Sequence, residues 1–151
     1  MQISARGEYA VRAALELAAS YPATISAQAL ADAQELPRKF LEAILADLRR
    51  GGIVISIRGA EGGYSLTRPP AETTVGAILR AVDGPLAGVR GHRPEQTSYS
   101  GTAEHLPTLW VAVRAAVRNV VDEVSLTDIV SGQLPDPVLA LTKAPDAWRS
   151  R

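Results

Sequence analysis

The chain of 151 residues contains no cysteine, which excludes disulfides, thiolate zinc sites, cysteine nucleophiles and all-cysteine iron–sulfur ligation. Its two histidines lie in one polar stretch, where they cannot be combined into a nucleophile, a base and an orienting group. We therefore expect that the protein is not an enzyme. The sixteen basic and sixteen acidic residues leave no net charge, so affinity for nucleic acid would have to come from uneven placement of charge.

Long apolar runs are also missing. No run approaches the roughly 18 uninterrupted apolar residues that a membrane helix needs, and the N-terminus lacks the apolar core of a signal peptide. We therefore expect a cytoplasmic protein without a membrane partner. With 46% hydrophobic and 21% charged residues, the chain can bury the core of one domain.

Three helices and a hairpin are predicted in the first half of the chain. An Ala-rich helix covers residues 8–19, and Ser26 caps a short second helix that runs to about Gln34. Pro37 opens a third helix, in which apolar residues recur at helical spacing: Phe40, Leu41, Ile44, Leu45 and Leu48. Residues 53–57 are mostly β-branched, residues 59–63 form a glycine-rich tip and residues 64–67 alternate, which predicts two antiparallel strands.

The second half is predicted to contain three more helices. Thr74 caps a fourth helix over residues 75–82, and a polar loop follows from about residue 86 to residue 105. Pro107 opens a long fifth helix with an apolar seam. Ser125 and Asp128 form a capping box at the start of a last short helix.

The order of these elements predicts a mainly α fold with a small two-stranded wing (α+β), a winged helix-turn-helix followed by a long dimerisation helix. In such units the third helix enters the major groove of DNA and the wing contacts the backbone or the minor groove. We divide the chain into a DNA-binding domain (1–84), an effector-region loop (85–105), dimerisation helices (106–132) and an irregular tail (133–151).

Charge placement supports DNA contact. Between Arg38 and Arg68 there are six basic residues against three acidic ones, in a chain that is neutral as a whole. Arg38 and Lys39 occupy the first turn of the third helix, which commonly meets base edges. Taken singly, each of these residues is better explained as a solvated surface charge, whereas together with the order of elements they favour DNA contact.

The sequence resembles the Rrf2 family of winged-helix regulators, which includes IscR, NsrR and CymR. The resemblance runs from residue 1 to about residue 131. It rests on the first four residues, Tyr9 to Ala13, Leu36 to Glu42, and above all Arg58-Gly59 followed by Gly62 to Leu66. It implies a homodimeric bacterial transcription regulator, usually a repressor, that binds a pseudo-palindromic operator in double-stranded DNA.

The resemblance also implies roles for single residues. Glu42 matches a glutamate that reads cytosine amino groups, Arg58 matches an arginine that enters the minor groove, and Ser26 with Gln28 matches positions that grip phosphate. Arg49 could contact phosphate or have a capping or salt-bridge role. The predicted DNA-binding set comprises Ser26, Gln28, Arg38, Lys39, Phe40, Glu42, Arg49, Arg58, Gly59 and Gly62.

The fifth helix has an apolar seam longer than a three-helix winged domain can cover. Part of the seam must pack within its own chain, and the remainder favours a two-fold interface. The resemblance implies that this helix crosses to the partner subunit. The predicted dimerisation residues are Leu109, Trp110, Val113, Val117, Val120 and Val121.

Signal sensing is where the chain departs from the family. Many members hold an iron–sulfur cluster on three cysteines of the loop after the fourth helix, and this loop has none. We therefore expect no cofactor and no metal, although His92, His105 and Glu8 could in principle ligate a divalent ion. The cluster-free branch of the family, typified by CymR, responds to a partner protein or to another effector.

A winged-helix module that binds protein instead of DNA is the main alternative, because a fold does not fix a function. The neutral net charge slightly favours it, whereas the cluster of Arg38, Lys39 and Arg58 speaks against it.

Overall fold

The computed structural model describes residues 1–150, most of which lie in helices. Seven α-helices and one two-stranded sheet follow in the order α1 (Ala5–Ser20), α2 (Ala27–Gln34), α3 (Arg38–Arg50), β1 (Val54–Ile57), β2 (Gly63–Leu66), α4 (Val75–Asp83), α5 (Leu106–Val121), α6 (Leu126–Ser131) and α7 (Asp136–Thr142). The mainly helical fold with a two-stranded wing is therefore confirmed. None of the helices in residues 1–150 is long and apolar enough to cross a membrane.

Serine and threonine side chains define where several helices begin. Ser26, Thr74 and Ser125 accept hydrogen bonds from the backbone amides three residues later, as predicted. Ser4 does the same for α1, which therefore begins three residues earlier than expected. The Ser4 hydroxyl also donates to Asp83 at 2.6 Å, and this bond ties the start of α1 to the end of α4.

The core lies between the first three helices, the hairpin, α4 and α6. Leu41, Ile44, Leu45 and Leu48 of α3 are fully covered, mainly by α1, α2 and α4. The side chains that are completely buried there include Leu17, Leu30, Leu41, Ile44, Leu45, Leu48, Ile78 and Leu126. This core fixes which side of α3 faces solvent.

One buried carboxylate joins α1 to α3. Asp47 lies on α3 with only 7% of its surface exposed, and it forms ion pairs with both Arg6 and Arg50. A buried charge is costly unless it is paired, so removing either arginine would leave a poorly compensated carboxylate. Arg50, which the sequence places among the cations of the last turn, is thus engaged in holding the fold.

The wing is fastened to the helices by backbone hydrogen bonds. The two strands pair in antiparallel register from Val54 with Leu66 to Ile57 with Gly63. Tyr64 then exchanges two backbone hydrogen bonds of 2.8 and 2.9 Å with Ile25, in the connection between α1 and α2. A two-stranded hairpin is marginal in water, so this third partner stabilises the wing and fixes its position.

Two segments differ in character from the core. Residues 86–105 contain no α-helix, although short 3-10 turns lie at Pro94–Gln96 and Gly101–Ala103.

The C-terminal tail was predicted to be irregular, and this is wrong because α7 lies within it and buries Val138. Pro135 and Pro137 sit at the beginning of α7, where a missing amide proton costs nothing.

Gly63 is a position where the fold requires glycine. Its φ is +149°, and a Cβ atom there would lie 2.5 Å from the Ile25 carbonyl oxygen. We expect Gly63→Ala to lower the free energy of unfolding by about 2–4 kcal/mol, measured by urea denaturation and circular dichroism, because backbone strain and a steric clash add.

Gly59→Ala is the matched control for this prediction. Gly59 also has a positive φ, +115°, but a Cβ atom there meets nothing within 4 Å. Its substitution should cost only the backbone strain, about 1 kcal/mol. Equal losses in the two variants would contradict the close contact between Gly63 and Ile25.

Candidate DNA-binding surface

The outer face of α3 is a polar strip, in which charged side chains surround two alanines. Arg38, Glu42 and Arg49 lie along one side of this strip because they are four and seven residues apart. Its other side carries Lys39, Ala43, Ala46 and Arg50. All except Ala46 are exposed, and Ala46 is half-buried. The small alanine side chains between the charged ones would let the helix backbone approach a groove closely.

Three of the predicted residues meet at the start of α3. Arg38 donates to Glu42 at 2.9 Å and to the Gln28 side-chain oxygen at 2.5 Å. Gln28 in turn donates to Asp32 at 2.8 Å. The positive charge of Arg38 is therefore partly compensated, and Glu42 is oriented while one of its carboxylate oxygens remains available to accept from a base.

The other predicted cations are less engaged. Lys39 and Arg58 are exposed and form no ion pair within residues 1–150. Arg49 donates to Ser56 at 3.4 Å, and this contact joins the last turn of α3 to β1. Because β1 leads directly to Arg58, the end of α3 and the root of the wing are connected parts of one exposed surface.

The start of α2 contributes Ser26. Its hydroxyl oxygen accepts from the Ala29 amide at 3.1 Å, so its proton is still available to a phosphate oxygen. A second contact steadies the wing tip nearby, where Thr24 donates to the Glu61 carbonyl at 2.8 Å. Sequence reasoning missed this contact because no local pattern joins residues 37 positions apart.

Two predicted DNA-binding residues have contacts within the fold itself. The Phe40 ring packs edge-on against Tyr9, with 5.6 Å between ring centroids, so it faces α1. Gly62 is needed by the turn itself, since a Cβ atom there would lie 2.2 Å from the Ile57 carbonyl oxygen. Gly59, by contrast, is exposed with open space around it.

The seam of α5 is only partly covered by its own chain. No residue of this helix is buried, Leu109 is 51% exposed, and the other five predicted dimerisation residues are half-buried. The Trp110 indole N–H is buried without a hydrogen-bond acceptor in residues 1–150. Val117, Val120 and Val121 line an open, mainly apolar groove of about 610 Å³ beside α4 and the N-terminus.

The loop over residues 86–105 does not fit an iron–sulfur cluster. It offers no thiolate, His92 is exposed, and His105 lies 3.2 Å from Glu104. Glu8 of α1 pairs with Arg12 at 3.4 Å. Within residues 1–150, no group of three or more histidine or carboxylate side chains is arranged to hold a metal ion.

Comparison with known proteins agrees with this architecture. The family model described as "Rrf2: Iron-dependent Transcriptional regulator" matches residues 3–132. A Mycobacterium tuberculosis protein named as an HTH-type transcriptional regulator, Rv1287, is 44% identical over 142 residues, which cover 93% of this chain and 88% of that protein.

Solved structures of two regulators are also similar. Bacillus subtilis CymR has a TM-score of 0.73 and 34% identity, covering 87% of this chain and 98% of the other. T. potens IscR has a TM-score of 0.69 and 32% identity, covering 87% and 88% respectively. This chain belongs to the Rrf2 family of winged-helix, DNA-binding transcriptional regulators.

Proposed function

We propose that the protein is a homodimeric repressor that binds a pseudo-palindromic DNA operator, with α3 in the major groove and the wing at the minor groove. The observation that carries this proposal is the exposed strip of α3, which continues through the Arg49–Ser56 contact to the wing and Arg58. A repressor with this surface would act by occupying its operator.

Base reading would combine a carboxylate and a guanidinium. Glu42 can accept from the amino group of cytosine, and Arg38 can donate in bidentate fashion to guanine. Since Arg38 already holds Glu42 and Gln28, binding requires an exchange of partners on the protein surface. Such an exchange favours the correct base, because a wrong base leaves one of these charged groups unpaired.

The dimer proposal is supported by α5. A helix without one buried residue has to be covered further, and a second copy of the seam supplies apolar cover and a two-fold axis. Two copies of α3 related by that axis would meet two half-sites, which accounts for a pseudo-palindromic operator. The signal would come from a protein or small-molecule effector, since the loop lacks cluster ligands.

A protein-binding winged helix remains the competing function, and salt dependence separates the two. Binding to duplex DNA releases counterions and therefore weakens steeply as salt is added. Flat salt dependence, or no binding to any duplex at low salt, would favour the protein-binding module.

Selection of bound sequences from random duplexes tests the role of Glu42. We expect the native protein to recover an inverted repeat, and Glu42→Ala to lose base preference at one position in each half-site, because the acceptor for the cytosine amino group is gone. An unchanged sequence motif in the variant would remove Glu42 from base reading.

Arg58→Ala should weaken operator binding by about 1–3 kcal/mol, the scale of one good specific contact, while leaving the dimer intact. Fluorescence anisotropy at fixed salt measures the effect. Arg68→Ala is the control, since it removes the same charge from an exposed residue beyond the wing. If the two variants lose affinity equally, net charge rather than minor-groove contact explains the loss.

Val117→Asp should convert the dimer into a monomer and abolish tight operator binding, because a carboxylate in the apolar seam cannot be desolvated. Sedimentation equilibrium measures the mass. Val130→Asp makes the same change at a residue of α6 that is 51% exposed, and it should leave the dimer unaffected. A dimeric Val117→Asp protein would contradict the proposed interface.

A further inference from the structure

A cavity lined by four arginines lies between α4, the loop and α5. Its volume is about 540 Å³, within the ordinary range for small-molecule sites. Its guanidinium groups belong to Arg80 of α4, Arg93 of the loop, and Arg114 and Arg118 of α5. In a chain without net charge, this is a concentration of positive charge that the DNA-binding surface does not explain.

Two of these arginines are already satisfied. Arg80 forms two hydrogen bonds with Asp122, of 2.8 and 2.6 Å, and this pairing raises the pKa of Arg80. Arg114, whose side chain is only 13% exposed, forms an ion pair with Glu95. The cavity thus already binds a carboxylate, the one that the chain itself supplies through Glu95.

The remaining two arginines form no ion pair of their own. Arg93 and Arg118 line the same cavity and form no ion pair within the described residues 1–150. The pKa of Glu95 is lowered, mainly because its own backbone N–H donates to the carboxylate and further because of Arg114 and Arg93. Glu95 therefore stays ionised and paired with Arg114. The guanidinium groups of Arg93 and Arg118 line the open cavity and can accept a further anion.

We propose that this cavity binds a small anion with a carboxylate or phosphate group, held by Arg93 and Arg118. Guanidinium forks match the geometry of both groups, and paired N–H donors give charge-assisted hydrogen bonds. Neither group needs a metal or a thiol. The cavity therefore provides a chemically different way of sensing in a loop that holds no cluster ligands.

The position of the cavity couples it to DNA binding. Arg80 belongs to the winged unit, Arg93 to the loop, and Arg118 to the helix proposed to dimerise. An anion between them would shift α5 relative to α4 or stiffen their contact, and either change alters operator affinity by linkage. This regulatory half of the inference rests on the proposed repressor function, whereas anion binding itself does not.

Isothermal titration calorimetry with the full chain tests the site. Inorganic phosphate and malonate are titrated separately, which distinguishes a phosphate from a carboxylate ligand, and uncharged malonamide is the negative control. We expect one anion per chain. Arg118→Gln and Arg93→Gln should each weaken binding about tenfold, since each removes a charge-assisted contact.

Two further variants sharpen the test. Arg90→Gln removes the same charge from an exposed residue of the same loop that does not line the cavity, and it should bind the anion normally. Glu95→Gln removes the internal competitor and makes Arg114 available, so it should bind several-fold more tightly. A merely structural role for these residues would not produce this gain.

The results that would refute the anion site differ from those that would refute the repressor function. If neither anion binds at tens of millimolar, or if Arg118→Gln binds as well as the native chain, the site is refuted. If an anion binds but operator affinity at matched ionic strength is unchanged, the effector role is refuted while the anion site stands. Failure to bind any duplex, with or without added anion, would count against the repressor alone.

Discussion

The buried face of α3 determines where every polar group on its other side is presented. Leu41, Ile44, Leu45 and Leu48 have no exposed surface, and burying each such side chain is worth about 1.5–3 kcal/mol. Rotation of α3 about its axis would expose several of them together. The angular position of the outer strip is therefore set by the core, and its charges cannot move to another side without unfolding the helix contacts.

The position of the wing relative to α3 is also fixed, because both of its strands and its tip contact the helical part of the fold. The Arg49–Ser56 contact joins its first strand to α3, while Ile25 binds the second strand and Thr24 binds the tip. A hairpin attached only through its turn would sample many orientations at an entropic cost to binding. Here α3 and the wing would approach a duplex as one preorganised unit. The entropy of ordering the wing is then lost during folding and not on DNA binding.

The sequence predicted those features that depend on short-range physics. Helical spacing and capping residues lie within a few positions of each other, so α2, α3, the wing and the Ser125 cap were all foreseen. The contact of Phe40 with Tyr9 was not foreseen, because a motif does not reveal which side of the helix its ring takes. The Arg6–Asp47 ion pair and the arginine cavity join residues from segments far apart in the chain, so no local sequence pattern predicts them. In α7, prolines that normally interrupt a helix occupy its first turn.

The incomplete cover of α5 has a consequence for how long a protomer survives. An isolated helix of 16 residues is marginal in water, and this one gains no fully covered side chain from its own chain. If the second subunit provides the missing cover, mass action links folding to abundance. A dilute protomer would expose α5 to proteases, while an assembled pair would protect it. Cells could then degrade surplus subunits simply because these are not assembled into a dimer, without any dedicated recognition signal.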